Sequence, residues 1–180
     1  MSESTAANDY LTAMLAGQNA DQYLLFKLGT ETFAVGVNDV EEIRSAVFTT
    51  RVPNTPSFIT GVMNLRGVII PVVDLRRRFG IEAIRHHDVD ITVILNIQTD
   101  DKRRTVGVMV DDVVDVCPLP GDVLKPPPDL GSAINTEFIE GIASLSDSIV
   151  VVLRTARLFN LEELSRLDDS HSAAEDGSGS

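Results

Sequence analysis

The chain has little with which to do covalent chemistry: of its 180 residues one is cysteine and three are histidine. Cys117 alone cannot close an internal disulfide, and no Cys/Cys or Cys/His spacing suggests zinc, so a reducing cytosol is the expected compartment. Cys117 lies in an apolar, strand-like run and reads as a small buried hydrophobe rather than a nucleophile. His86 and His87 adjoin Asp88 in a polar, turn-like stretch, and His171 falls near the C-terminus, so they read as loop and tail residues without metal or catalytic roles. The phosphate-binding loop, the dinucleotide fingerprint, the nucleophile elbow and the His-Glu-x-x-His zinc motif are all missing. No cofactor, metal or catalytic residue is expected.

Positive charge is scarce too. With 27 acidic residues against 15 basic ones the formal charge is −12, which repels phosphate backbones and anionic lipid and leaves protein partners as the natural class. Arg76–Arg78 and Lys102–Arg104 are the only basic clusters, and each reads as a solvated face or turn. The longest run of aliphatics and proline, Val68 to Val73, is too short to span a bilayer. The first residues show neither the basic segment nor the apolar stretch of a secretory signal. Direct membrane insertion is therefore not expected.

What is present is a pattern stated twice. Ala34–Ile43 returns as Gly107–Val116 at an offset of 73 residues, and Phe58–Val62, Ile69–Val73 and Phe79 return as Phe138–Ile142, Ile149–Leu153 and Phe159 at an offset of 80. Two copies of about 22–79 and 91–159 predict two similar lobes sharing a core, since the chain is short for two independent domains. Residues 1–19 and 168–180 are small and polar and read as tails around a domain at 20–167.

Leu24, Phe26 and Leu28 alternate, Gly29–Thr32 breaks the run, and Phe33, Val35 and Val37 alternate again, predicting a hairpin with one buried face. Thr92–Ile97 and Thr105–Val110 repeat the device. Short β-rich runs with frequent turns predict small barrels rather than a helical bundle or wound sheet. Thr55-Pro56 and Gly61 suggest a first short helix, and Asp74 before Leu75–Phe79 and Gly80 a second. Leu158, Phe159, Leu161, Leu164 and Leu167 predict a terminal helix over 155–167.

The acids Asp111, Asp112 and Asp115 follow a hydrophobic strand, as phosphoacceptor aspartates do in receiver domains. This defines a rival reading, a receiver-like phosphoacceptor or metal-dependent phosphatase using Asp111 and Asp112. Against it, the acids lead into another β-branched run where a receiver needs a full-length helix, and the first copy has Asn38, Asp39 and Glu42 in register, as polar turn and outward-facing strand positions would. Arg66-Gly67 has no match in the second copy, which carries Ser146-Asp147. The Arg66 fork is expected to pair with a carboxylate such as Glu42, or that pair to border a docking groove.

Arg51 through Phe79, with Val40-Glu-Glu-Ile-Arg44 and Val108 through Asp115, resembles the signature of the CheW family of bacterial chemotaxis coupling proteins, a similarity running from about Tyr23 to Leu164. The resemblance implies a mainly β fold of two five-stranded SH3-like barrels around a shared core, with short connecting helices and a C-terminal helix. It implies a cytoplasmic adaptor without catalytic activity, recruited to membrane-associated receptor arrays and coupling methyl-accepting chemoreceptors to the histidine kinase CheA. A CheW-like adaptor of a non-flagellar chemosensory pathway is an alternative. By matching positions the receptor's hairpin tip would lie in a groove formed by Val37, Val40, Glu42 and Arg66 of the first lobe and Ile91, Val106, Gly107 and Val113 of the second. The regulatory domain of CheA would meet Asp129 and Leu130, beyond the rigid Pro126–Pro128, and contacts between copies of the adaptor would extend an array.

Overall fold

Segments whose consecutive residues are all apolar have no polar face to turn to water, and they fold only where both faces of a strand are covered. Tyr23 through Phe26 and Leu28 are all buried in β1 (Gln22–Leu28), as are Thr32 through Val35 in β2 (Glu31–Gly36). The computed structural model describes residues 22–45, 47–82, 90–99, 102–119, 123–128 and 135–159. After the second strand come β3 (Val40–Ser45), β4 (Ile59–Leu65), β5 (Val68–Asp74), the short helix α1 (Leu75–Phe79), β6 (Ile91–Gln98), β7 (Arg103–Val110), β8 (Asp112–Pro118), β9 (Ile139–Leu145) and β10 (Ser148–Leu153).

The strands form two five-stranded sheets, ordered β8-β1-β2-β10-β9 and β3-β6-β7-β5-β4. Exchanging β1–β5 with β6–β10 turns the first order into the second. Neither sheet is built from one copy of the repeat, which corrects the expectation of one lobe per repeat: each takes a hairpin from one copy and three strands from the other. The chain is thus intertwined, and parallel pairs join the copies, with Val152 opposite Ala34 in one sheet and Val72 opposite Gly107 in the other.

Three apolar clusters explain why the strands lack a wet side. Tyr23, Leu25, Ala34, Leu119, Ala143, Val150 and Val152 fill the first barrel. Met63, Leu65, Ile70, Val72 and Ile94 fill the second. The alternate positions, among them Leu24, Phe26, Leu28, Phe33, Val35, Val93, Leu95, Val106 and Val108, meet in a larger core shared by both. The predicted hairpins are present, but each is buried on both faces, because a barrel packed on a barrel leaves the seam strands no solvent side. Phe26, Phe33, Phe79 and Phe138 run through the shared core with successive ring centroids 6.2, 5.8 and 6.0 Å apart.

The second predicted helix is confirmed, the first corrected. Asp74 accepts the Arg76 backbone N–H at 3.0 Å, and Gly80 ends α1 at φ 66°. Residues 53–58 form turns instead, and Gly61 lies inside β4, where a Cβ would come within 2.3 Å of the Thr50 carbonyl oxygen. Thr50 and Val62 exchange two backbone hydrogen bonds of 2.8 Å there. Gly141 repeats the device against Lys125, with a hypothetical Cβ 3.1 Å from that carbonyl. Of the predicted terminal helix, Thr155–Arg157 is a single 3-10 turn and Leu158 and Phe159 belong to the shared core; the remainder, like the histidines and both predicted tails, falls outside the described residues. No helix among those described is long and apolar enough to cross a membrane.

Candidate functional site

Arg66 and Gly67 form the two-residue turn between β4 and β5, at φ 50° and 87°. Positive φ at both positions is the hairpin geometry that matches strand twist, and the Asn64 side chain secures it by accepting the Gly67 N–H at 2.8 Å. The turn projects Arg66 across the open side of the sheet. Its Nη1 donates to Glu42 Oε2 at 2.7 Å and its Nη2 to Glu41 Oε1 at 2.9 Å. Because β3 and β4 stand at opposite ends of the strand order, this fork bridges the two edges of the barrel.

Two adjacent strand residues normally point to opposite faces, so Glu41 and Glu42 should not share a partner. A β-bulge resolves the conflict. Val40 pairs with Leu95 and Glu42 with Ile94, leaving Glu41 as the extra residue. Arg44 Nε also donates to Glu42 Oε1. Burial opposes ionisation of Glu42, but hydrogen bonds from Arg66 and Arg44 outweigh it and hold the carboxyl below its usual range, while pairing with Glu42 raises the Arg66 pKa.

The second copy keeps the backbone of this device and changes its chemistry. Ser146 occupies the turn at φ 50°, and the bulge in β8 falls on Val114, since Leu25 pairs with Asp115 and Phe26 with Val113. A serine cannot span the barrel and valine offers no carboxylate. The arginine fork therefore belongs to one barrel, and the turn of the other carries no arginine counterpart.

The expected groove residues divide. Arg66 and Glu42 come together as predicted. Val37, Val40 and Val106, with 2%, 8% and 0% of their surface accessible, are occupied in the shared core and do not offer side chains to a partner in this structure. Gly107 is buried as well: a Cβ there would meet Thr92 Cγ2 at 3.0 Å and Val72 Cγ2 at 3.4 Å, so its missing side chain makes room for the chain's own packing. Ile91 and Val113 are half-buried at the margin of the shared core. The assignment of four residues to each lobe also changes, because Val40, Glu42, Arg66, Ile91, Val106 and Gly107 all lie in or beside one sheet and Val113 in the other. Asp129 and Leu130 lie outside the described residues.

Arg76–Arg78, expected as a solvated face, separates into three environments. Arg76 is 7% exposed. Its Nε and Nη2 reach the two oxygens of Asp74, and Nη1 reaches Asp111 at 2.7 Å and Asp90 at 3.3 Å. Burial opposes its charge, but the hydrogen bonds of Asp74 and Asp111 raise its pKa well beyond the ordinary arginine range. Arg77 is exposed, and Arg78 lies over the rings of Phe58 and Phe138, 4.3 and 5.2 Å from their centroids.

This arrangement overturns the phosphoacceptor reading. Asp111 Oδ1 is held by Arg76, and its Oδ2 accepts the Gly29 N–H at 2.6 Å. The side chain is 11% exposed, so it is neither a free nucleophile nor the polar turn position expected. Asp112 is exposed and its Oδ1 accepts the N–H of the next residue. Cys117 packs beside the interior of the first barrel, where burial and then the charge of Asp115 push its thiol pKa up, away from reactivity.

Comparison with known proteins places this architecture. Residues 22–163 match the family model described as "CheW-like domain". The chain is similar to the chemotaxis protein CheW of Klebsiella aerogenes, at 35% identity over 156 residues covering 86% of this chain and 92% of that one. It is 30% identical to protein FrzA of Myxococcus xanthus over 69% of this chain and 75% of that one. The crystal structure of the scaffolding protein TtCheW from Thermoanaerobacter tengcongensis superposes with a TM-score of 0.72 at 33% identity, covering 82% of this chain and 92% of that one. With two pseudo-equivalent barrels, internally paired buried charges and these relatives, the chain belongs to the CheW-like domain family and is a chemotaxis adaptor.

Proposed function

We propose that this adaptor couples methyl-accepting chemoreceptors to the histidine kinase CheA without bond chemistry, and that the Arg66–Glu42 face of the second barrel takes the receptor's helical hairpin tip. The supporting observation is the fork itself. Arg66 is 58% exposed yet fixed by Glu41 and Glu42, so a donor-rich plane is presented without the entropy loss of ordering a free arginine on binding. Ile91 and Val113, half-buried at the margin of the shared core, would supply apolar contact to the same hairpin, and Val37, Val40 and Val106 belong to that core. Coupling then works through contacts that differ between the receptor's signalling states. Recruitment to membrane-associated arrays follows from receptor binding, and contacts between copies of the adaptor, together with a kinase contact near Asp129 and Leu130, complete the proposal.

Co-sedimentation of a receptor signalling fragment, CheA and this protein, omitting each in turn, tests it. CheA should pellet with receptor only when the adaptor is present, and Arg66→Ala should reduce its own pelleting while leaving circular dichroism unchanged. Equal pelleting of CheA without the adaptor overturns the proposal.

A further inference from the structure

One end of the sheet containing β1 is open where the same end of the other sheet is filled. The parallel pairs align the two corners, Val152 with Ala34 as Val72 with Gly107. Leu153, Arg154 and Ala156 therefore stand where Val73, Asp74 and Arg76 stand, and Gly36 stands where Met109 does. In the filled corner Arg76 is buried among carboxylates and the Met109 sulfur lies 3.4 Å from Thr60 Oγ1. In the open corner alanine and glycine replace those two long side chains, and a cavity of about 480 Å³ is lined by residues that include Tyr23, Gly36, Leu153 and Ala156, with Asp39, Glu140, Arg154 and Arg157.

One charge of the corner is reversed as well. Arg154 replaces the acid Asp74, and among the described residues neither Arg154 nor Arg157, both exposed, has a side-chain hydrogen bond or ion pair. Asp39 is already engaged, accepting the Thr155 hydroxyl at 2.6 Å.

We infer that this cavity receives a glutamate side chain from a segment of a partner protein. The stem lies over Gly36 against Tyr23 and Leu153, in the space Met109 fills in the other barrel, and the carboxylate meets Arg154 and Arg157 in charge-assisted hydrogen bonds. Glu140 repels a second negative charge, which selects a single carboxylate on an aliphatic stem over phosphate, polyacidic tracts or anionic lipid. The site lies in the barrel that does not carry Arg66, so it does not depend on the receptor-coupling proposal.

The test uses the full-length protein labelled with nitrogen-15 and a blocked peptide, Ala-Ala-Leu-Glu-Leu-Ala, with glutamine and lysine counterparts. The glutamate peptide should give saturable shifts at the amides of Gly36, Ala156 and Arg157, and the other two peptides should not. Arg154→Ala with Arg157→Ala should weaken binding about tenfold or more, and Glu140→Gln should tighten it by about twofold. Ala156→Arg, which copies Arg76, should abolish it; dispersed spectra establish that each variant is folded, and the arginine pair decides the matter if Ala156→Arg is not. Equal shifts with the lysine peptide, or unchanged binding in the arginine pair, overturn the inference. Shifts at residues 160–180 when the arginines are replaced in the absence of peptide would make the chain's own acidic terminus the occupant and overturn it likewise.

Discussion

Arg76 grips Asp74 through two nitrogens, Nε to Oδ1 at 2.9 Å and Nη2 to Oδ2 at 3.0 Å, and reaches Asp111 with the third. Asp111 in turn holds Gly29 in the β1–β2 turn. Asp74 ends a strand of one barrel and Gly29 joins two strands of the other, so this buried chain of charges stitches the intertwined halves together.

Breaking it should be severe. Removing Arg76 leaves buried carboxylates without a partner, and Arg76→Ala should lose about 3–5 kcal/mol of unfolding free energy in urea titrations. Asp111→Asn keeps an acceptor for Gly29 and should lose less, about 1–2 kcal/mol.

The paired glycines offer a graded comparison. A Cβ at Gly61 would sit 2.3 Å from a backbone oxygen at φ 155°, whereas one at Gly141 would sit at 3.1 Å. Gly61→Ala should therefore cost more than about 3 kcal/mol or prevent folding, and Gly141→Ala about 1–2 kcal/mol. Thermal denaturation of both variants checks the order.

Acid should weaken the barrel closure. The folded Glu42 carboxyl is held below the 4.5 of the unfolded chain, so its contribution to stability is full above that value and is lost as pH falls through the lower, folded-state pKa. Arg66→Ala removes the largest lowering influence. The stability difference between wild type and variant should be present at neutral pH and shrink progressively below 4.5. A difference that grows in acid would contradict this sign.

Magnesium and a small phosphodonor should leave no stoichiometric phosphoryl group on the protein by intact mass, since both Asp111 oxygens are engaged. Labelling lost in Asp111→Asn would restore the phosphoacceptor reading.

The helix at Leu75–Phe79 was legible because its capping chemistry is local: Asp74 and Gly80 act within one turn. The Arg66–Glu42 pair was legible because an arginine at a tight turn needs an acceptor, and a strand acid was available. Glu41 was not, because the alternation rule sends it to the opposite face and only the bulge in β3 brings it round. Arg76 was hidden among three arginines of identical local appearance, and its burial depends on Asp111, 35 positions away. Val40 and Val106 were legible as apolar strand positions and Val37 as an apolar position, though it falls in a 3-10 turn after β2; none was legible as a core residue rather than groove lining.

By itself the amino-acid order determined the β strands, their turns, the doubled pattern and the scarcity of reactive groups, all of which act over a few neighbouring residues. Which strands share a sheet was decided only in three dimensions. Strands apolar on every side must be covered twice, and intertwining the two copies lets one continuous core cover the seam while each barrel fills its own interior. The same tertiary step buried Arg76, exposed Arg66 and left the corner at Ala156 open, because side chains in matching places of the repeat met different neighbours.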